Sequence, residues 1–456
     1  MKYDSRLLVP EESQLVLVRN GKEDPLVVGR DGSLNARGEL NGSIEAPMMF
    51  VGYGLSIPDA GWDDLAKLDL RGKIAVYVNA FAPVKVSDNV KSHANTADER
   101  WAAVKRAGGI GIATIALPQA EGAPSPPAGP GAGPATAAPQ VALSDRDVQN
   151  LSGQKVSLSF TRSGTDKLLA GTGHTPAEFA QLVKDAKPLP RFQLPGTLKV
   201  RAKLTREVFE ASNVCGLFEG SDPALKNEYV VMTSHLDHVG IGRAVNGDTI
   251  YNGAMDDASG IAAMLQIAQM LKKSGATTKR SILFVAVAAE EKGLLGSRYF
   301  AAHPTVPFEK IVADINLDMF LPLYPLKVIE VQGFAESSLG ESVRIVAREL
   351  GVEVQTDREP DQNRFIRSDQ YSFIRRGVPA LAFKFGYEFG SPDEKTRLDW
   401  VRDRYHKPSD DLNQPVNLEA AAKFNRVIMA LLRRVADDPS RPTWNADSFF
   451  KRFATR

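Results

Sequence analysis

The chain has 456 residues, room for roughly two or three domains, and its 43% hydrophobic and 24% charged shares are those of an ordinary globular protein. Its 56 basic and 55 acidic residues nearly cancel, which argues against a nucleic-acid partner, and no run of about 18 apolar residues offers a membrane span. A single cysteine, Cys215, excludes an intrachain disulfide framework and a Cys-rich zinc site; it lies in the apolar run 213–218 and is expected to pack as core.

Residues 1–117 read mainly as strands and turns. Residues 13–18 alternate, 46–51 are apolar up to a break at Gly52 and Gly54, and the turn 70–73 leads into the buried-strand run 74–78. The stretch 98–107 places Trp101, Val104 and Ala107 on one helical face, Gly108 and Gly109 stop it, and 110–115 resumes a strand. Residues 118–139 consist almost wholly of Pro, Ala, Gly and Ser and are expected to form a mobile loop. Strand character returns at 141–143 and 156–160, and Pro188, Pro190 and Pro195 punctuate the end of a β-rich domain spanning 1–195.

From 196 the pattern changes to strands alternating with amphipathic helices. The runs 229–233, 281–288, 311–317 and 380–383 read as strands. Residues 258–271 carry Ile261, Met264, Leu265, Ala268 and Leu271 on one helical face, and 339–350 and 417–435 are further helices. This alternation predicts an α/β domain over 196–445, with 446–456 as a C-terminal tail.

Ionisable residues gather where those buried strands end, the usual place for a site in such folds. His235 and Asp237 follow the first, two residues apart, so in an extended chain they share a side and the carboxylate can hold the imidazole. Asp256 and Asp257 open a helix, Glu290 and Glu291 follow a strand, Asp318 ends another, and His406 lies in a loop. Two histidines with three or four carboxylates suit a pair of divalent cations such as zinc. One carboxylate can bridge both ions while another serves as general base. His238 reads as a structural neighbour of this set, and His93, His174 and His303 as surface residues.

Taken in order, the motifs around His235-Leu-Asp237, Asp256-Asp257, Glu290-Glu291, Asn316-Leu-Asp318 and Tyr405-His406 closely resemble those of the M28 family of metallopeptidases, over about 196–440. The resemblance implies a zinc exopeptidase (phosphorylase/hydrolase-like) α/β fold, with a mixed central β-sheet flanked by helices. It implies two Zn2+ ions, with other divalent transition metals left open. In that pattern Asp256 bridges the metals, His235 and Asp318 complete one site, and Glu291 and His406 complete the other. Glu290 activates a metal-bridging water, Asp237 orients His235, and Tyr405 hydrogen-bonds the oxyanion. A cis peptide at Asp256–Asp257 is also implied. Arg367 lies in a stretch resembling the family's substrate-binding loop, where it holds a substrate carbonyl or carboxylate or else pairs with Asp369.

Residues 1–190, with the turns at Gly52–Gly54, 70–73 and 107–109, resemble a protease-associated (PA) domain. Relatives carrying such an insert usually begin with a signal peptide and a helical segment, so an exported protein lacking its signal peptide is expected, with a cytoplasmic location left open. The expected partners are peptide substrates, with no nucleic acid and no membrane span; the oligomeric state is unknown from sequence. The function expected is that of an aminopeptidase, with a carboxypeptidase or dipeptidase of the same family, or an inactive binding protein on this fold, as alternatives. No G-x-S-x-G elbow supports a serine hydrolase.

Overall fold

The structure, a computed structural model, describes residues 1–39, 42–118, 139–149, 151–362 and 364–454. The loop expected over 118–139 falls almost entirely outside them. The chain forms two compact units, Lys2–Glu210 and Ala211–Arg456, the second also taking Met1.

The first unit is β-rich, as its composition predicts. An eight-stranded sheet has Arg191–Ala202, Gly42–Val51, Ile74–Val78 and Gly111–Ile115 as its central strands, and a smaller sheet of three strands centres on Lys2–Leu8. The helix Ala97–Arg106 is capped by Thr96 and buries Trp101 and Val104 against Met49, Val51, Ala75, Tyr77 and Ile112. The division falls at 210/211 rather than at the expected 195/196. Arg191–Ala202 is one strand of the large sheet, and its register shifts between Gln193 and Thr197. Gly196, at φ 78°, turns the chain there. Pro195 therefore marks a bulge, where a strand tolerates proline, and not a linker.

The second unit holds a seven-stranded sheet, with strands β1 (Val214–Phe218), β2 (Tyr229–His235), β3 (Ser281–Val287), β4 (Ile311–Leu317), β5 (Val328–Gln332), β6 (Glu353–Thr356) and β7 (Ala380–Phe385). The spatial order is β1-β3-β2-β4-β7-β5-β6. β3, β2, β4 and β7 run parallel; β1 pairs antiparallel with β3, while β5 pairs antiparallel with β7 and parallel with β6. The helices are α1 (Ser259–Ser274), α2 (Leu295–Ala302), α3 (Leu339–Glu349), α4 (Gln370–Ile374), α5 (Pro392–Asp403) and α6 (Leu418–Asp437). The parallel strands are apolar on both sides because both faces are covered. Val230 and Met232 pack with α1, α3 and α6, while Val231 packs with Phe300 of α2 and Phe373 of α4. α6 starts on the Asn417 cap and buries Phe424, Val427, Ile428, Leu431, Leu432 and Val435 along one stripe. Among the described residues no helix is long and apolar enough to cross a membrane.

Two local expectations change. Cys215 is exposed, because its apolar run forms β1, a strand at the sheet edge whose residues Val214–Leu217 face solvent. The C-terminal residues are not a loose tail. Phe449, Phe450 and Phe453 are buried, and the Phe450 ring lies 5.3 Å from that of Phe365 and 5.9 Å from Trp444. Truncating Phe450 to Ala is expected to lower the unfolding free energy by about 3–5 kcal/mol. Denaturant titration of the two proteins checks this, and a loss well under 1 kcal/mol would show that these aromatic contacts do not anchor the terminus.

Candidate metal centre

Parallel pairing brings the C-terminal ends of β2, β3 and β4 side by side. His235 is the last residue of β2, Glu290 and Glu291 follow β3, and Asp318 follows β4. Asp256 and Asp257 lie in the turn leading into α1 and are joined by a cis peptide bond. His406 arrives on the loop after α5. The five residues expected as metal ligands thus meet. His235 Nε2 lies 3.2 Å from Asp256 Oδ1 and 3.8 Å from Asp318 Oδ1. His406 Nε2 lies 3.0 Å from both Asp256 Oδ2 and Glu291 Oε1. Asp256 therefore turns one carboxylate oxygen to each of two sets.

Two further carboxylates hold this arrangement. Asp257 is fully buried and accepts hydrogen bonds from Ser234 Oγ at 2.6 Å, His235 N at 3.3 Å, Gly260 N at 3.0 Å and Met319 N at 3.0 Å. A Cβ on Gly260 would sit 2.2 Å from Ser234 Oγ and 2.4 Å from Asp257 Oδ2, so only glycine allows this approach. Asp410 accepts from Met255 N at 2.9 Å and Asp256 N at 3.1 Å, which ties the Asp256 backbone to the loop carrying His406. Left-handed backbone at Ala289, Met319 and His406 (φ 59°, 41° and 54°) aims the strand-end and loop side chains. Such conformations are costly for residues with a Cβ and persist where packing enforces them.

The side chains fit divalent cations. His235 Nε2 and Glu291 Oε1 are buried within ion-pair distance of their neighbours, yet neither makes a hydrogen bond. The atoms converge on shared points instead of lining up donor to acceptor, as ligands around an ion do. Three electrostatic consequences follow from the protein groups alone. Burial would raise the Asp256 carboxyl, but His235 and His406 hold it well below the usual range. Burial works against charging His406, but Asp256 and Glu291 lift it to about 9. Glu290 is pushed well up by burial and by Asp369, Asp318 and Glu291. Bound cations would invert this logic, favouring ionised carboxylates and neutral imidazoles.

The remaining expected site residues are placed less simply. Asp237 contacts His235 through a different atom from the one expected: its main-chain carbonyl lies 2.8 Å from Nδ1. β2 ends at His235, and the Asp237 carboxylate accepts from Glu290 N at 3.1 Å instead of holding the imidazole. The Tyr405 ring stacks on His406 with centroids 3.7 Å apart and packs beside Met255, Leu321 and Trp400. Arg367 is exposed and donates to the Gln362 carbonyl, whereas Asp369 is fully buried and its carboxylate accepts no hydrogen bond, so the two side chains are not paired. His238, read from sequence as a structural neighbour, stands inside the second set, its Nδ1 3.0 Å from Glu291 Oε1. Sequence reasoning gave Asp257 and Asp410 no anchoring role; both stood in the motifs around Asp256 and His406, but nothing in a sequence shows which main-chain N–H groups a carboxylate receives.

Imidazoles and carboxylates seated beyond the C-terminal ends of parallel strands give this α/β unit a candidate divalent-metal centre. Residues 213–432 match the model of peptidase family M28. A probable leucine aminopeptidase 2 from Aspergillus oryzae is 30% identical over 194 residues, which is 41% of this chain and 36% of that protein. Aminopeptidase YwaD from Bacillus subtilis is 26% identical over 226 residues, 48% of this chain and 43% of the relative. The chain thus spans well under half the length of these curated relatives. An aminopeptidase structure from Aneurinibacillus sp. strain AM-1 aligns with 97% of this chain and 84% of its own, at 17% identity and a TM-score of 0.48. The matched residues 213–432 lie within the Ala211–Arg456 unit.

Asp410→Ala should weaken metal binding by about 10–100-fold although Asp410 is not among the ligands, because it frees the backbone beneath Asp256. Zinc competition against a chelating dye measures this; unchanged affinity would show that the Asp256 turn holds itself.

Proposed function

We propose that the chain is a dizinc aminopeptidase that hydrolyses N-terminal peptide bonds. The observation that carries this reading is Asp256, whose two oxygens face two different ligand sets. The match of residues 213–432 to the family M28 model and the relatives named as aminopeptidases support it. His235, Asp256 and Asp318 would hold one zinc, and Asp256, Glu291 and His406 the other. When bound, the ions supply Lewis acidity that activates water near neutral pH and polarises the scissile carbonyl. Glu290 takes a proton from the attacking water and delivers it to the departing amine. Tyr405 donates its hydroxyl to the developing oxyanion, and Asp237 keeps His235 in position through its carbonyl. The surplus of carboxylates receives the substrate's terminal ammonium. We further read the Lys2–Glu210 unit as a PA-type domain, on its Gly52–Gly54 turn and its helix packed on a β-sheet.

A carboxypeptidase needs a free cation for the substrate's terminal carboxylate. Arg364 pairs with Glu359 at 2.6 Å, Arg375 lies over the Phe453 ring and Arg376 over Phe308. Arg367, which is exposed and donates to the Gln362 carbonyl, is the cation on which this second reading rests.

A panel of aminoacyl-anilides and N-blocked peptides, assayed before chelation, after it and after zinc return, separates the readings. Anilide cleavage abolished by chelator and restored by zinc is expected. Cleavage confined to N-blocked peptides with a free C-terminus would select the carboxypeptidase reading, and no cleavage by zinc-loaded protein would select a binding role. Glu290→Gln should retain both metals while turnover falls by about 10²–10⁴-fold. Loss of metal in that variant would make Glu290 a ligand instead.

A further inference from the structure

The two ligand sets are unequal. One joins His235, Asp256 and Asp318; the other joins His238, Asp256, Glu291 and His406, with the ligand atoms of each set all within 4.8 Å of one another. His238 is the member that neither the motif pattern nor the role assigned to it from sequence accounts for. Its side chain is 5% exposed, with Nδ1 3.0 Å from Glu291 Oε1 and 3.9 Å from Asp256 Oδ2, and its ring stands edge-on to His406 at 5.3 Å. Neither ring nitrogen makes a hydrogen bond, and neither does Glu291 Oε1. A buried histidine with a merely structural role normally has at least one nitrogen satisfied, since an unsatisfied buried polar group is costly.

The ring is also held in place. Gly253, at φ 68°, lies directly against it: a Cβ there would fall 2.6 Å from both Cβ and Cγ of His238. The glycine lets the backbone leading to Asp256 close onto the imidazole and fix its direction. A buried Nδ1 that points at the convergence of two carboxylates and a second imidazole, without hydrogen-bonding any of them, has the placement of a ligand atom.

We infer that His238 is a fourth protein ligand of the metal bound by Asp256, Glu291 and His406, making that site the tighter and more closed of the two. This deepens the dizinc reading and rests on it. The other site, with three protein groups, is then the more exchangeable and keeps more of its coordination open to solvent and substrate, since a catalytic metal requires a position free of protein.

The test is stepwise metal binding to the full chain, followed by chelator competition for Zn2+ and by the visible absorption of Co2+-substituted protein, with circular dichroism to confirm folding. Wild type is expected to take up two ions of clearly different affinity. His238→Ala should lower the tighter affinity by at least about tenfold, change the Co2+ spectrum of the first equivalent and leave the weaker site within a factor of a few. His238→Asn offers an N–H to Glu291 in place of Nδ1 but ligates poorly, so it should resemble the alanine variant. Full recovery in His238→Asn would overturn the inference, because His238 would then act by positioning Glu291. An unchanged first equivalent in His238→Ala, with its fold intact, would overturn it as well. If His238→Ala does not fold, His238→Asn alone decides on the same readout. Wild type that binds no ion would instead sink the dizinc reading itself.

Discussion

Asp257 takes its four hydrogen bonds from donors on three separate segments: the end of β2, the start of α1 and the residue after Asp318. His235, Asp256 and Asp318 all hang from those segments. A single buried carboxyl group thereby sets the spacing of one ligand set by receiving four donors at once. Asp410 does the same for the other side, joining the Asp256 turn to the His406 loop. The acids proposed to face the metals and the acids that position them are neighbours in sequence and opposite in role, so residue type alone does not separate them.

The fold was legible where local pattern and global position agree. The buried runs that became β2, β3, β4 and β7 are apolar on both sides because they are the parallel centre of the sheet, and the α1 and α6 stripes are regular because each packs one face onto it. The residues that the structure gathers at the candidate centre stood out because each closes or follows such a strand or sits in a punctuated loop. What was hidden depended on atoms that a one-letter code does not carry. Pro195 read as a boundary, but a bulge accommodates it within a strand. Asp237 was expected to use its carboxylate and uses its carbonyl. Cys215 looked like core because an apolar edge strand and an apolar central strand are spelled alike. His238 looked incidental because its approach to Glu291 depends on the missing side chain of a glycine fifteen positions away.

Strain and burial coincide around the centre. Ala289, Met319 and His406, all in left-handed backbone, flank or carry groups of the site, so the sheet's packing keeps the chain in conformations that it would leave if unsupported. The large apolar cluster beneath β2 and β4 is what makes this possible.

The crowding of Asp256, Glu290, Glu291 and Asp318 into one region ties folding to solution composition. Like charges at such spacing oppose the folded state unless cations or protons offset them. A ligand that binds only the folded chain stabilises it by about 2.7 kcal/mol at a hundredfold excess over its Kd. On the dizinc reading proposed above, the endurance of this unit becomes a function of the free divalent ion around it, so the same polypeptide would be robust in a metal-replete medium and fragile in a metal-poor one, with no change in its sequence.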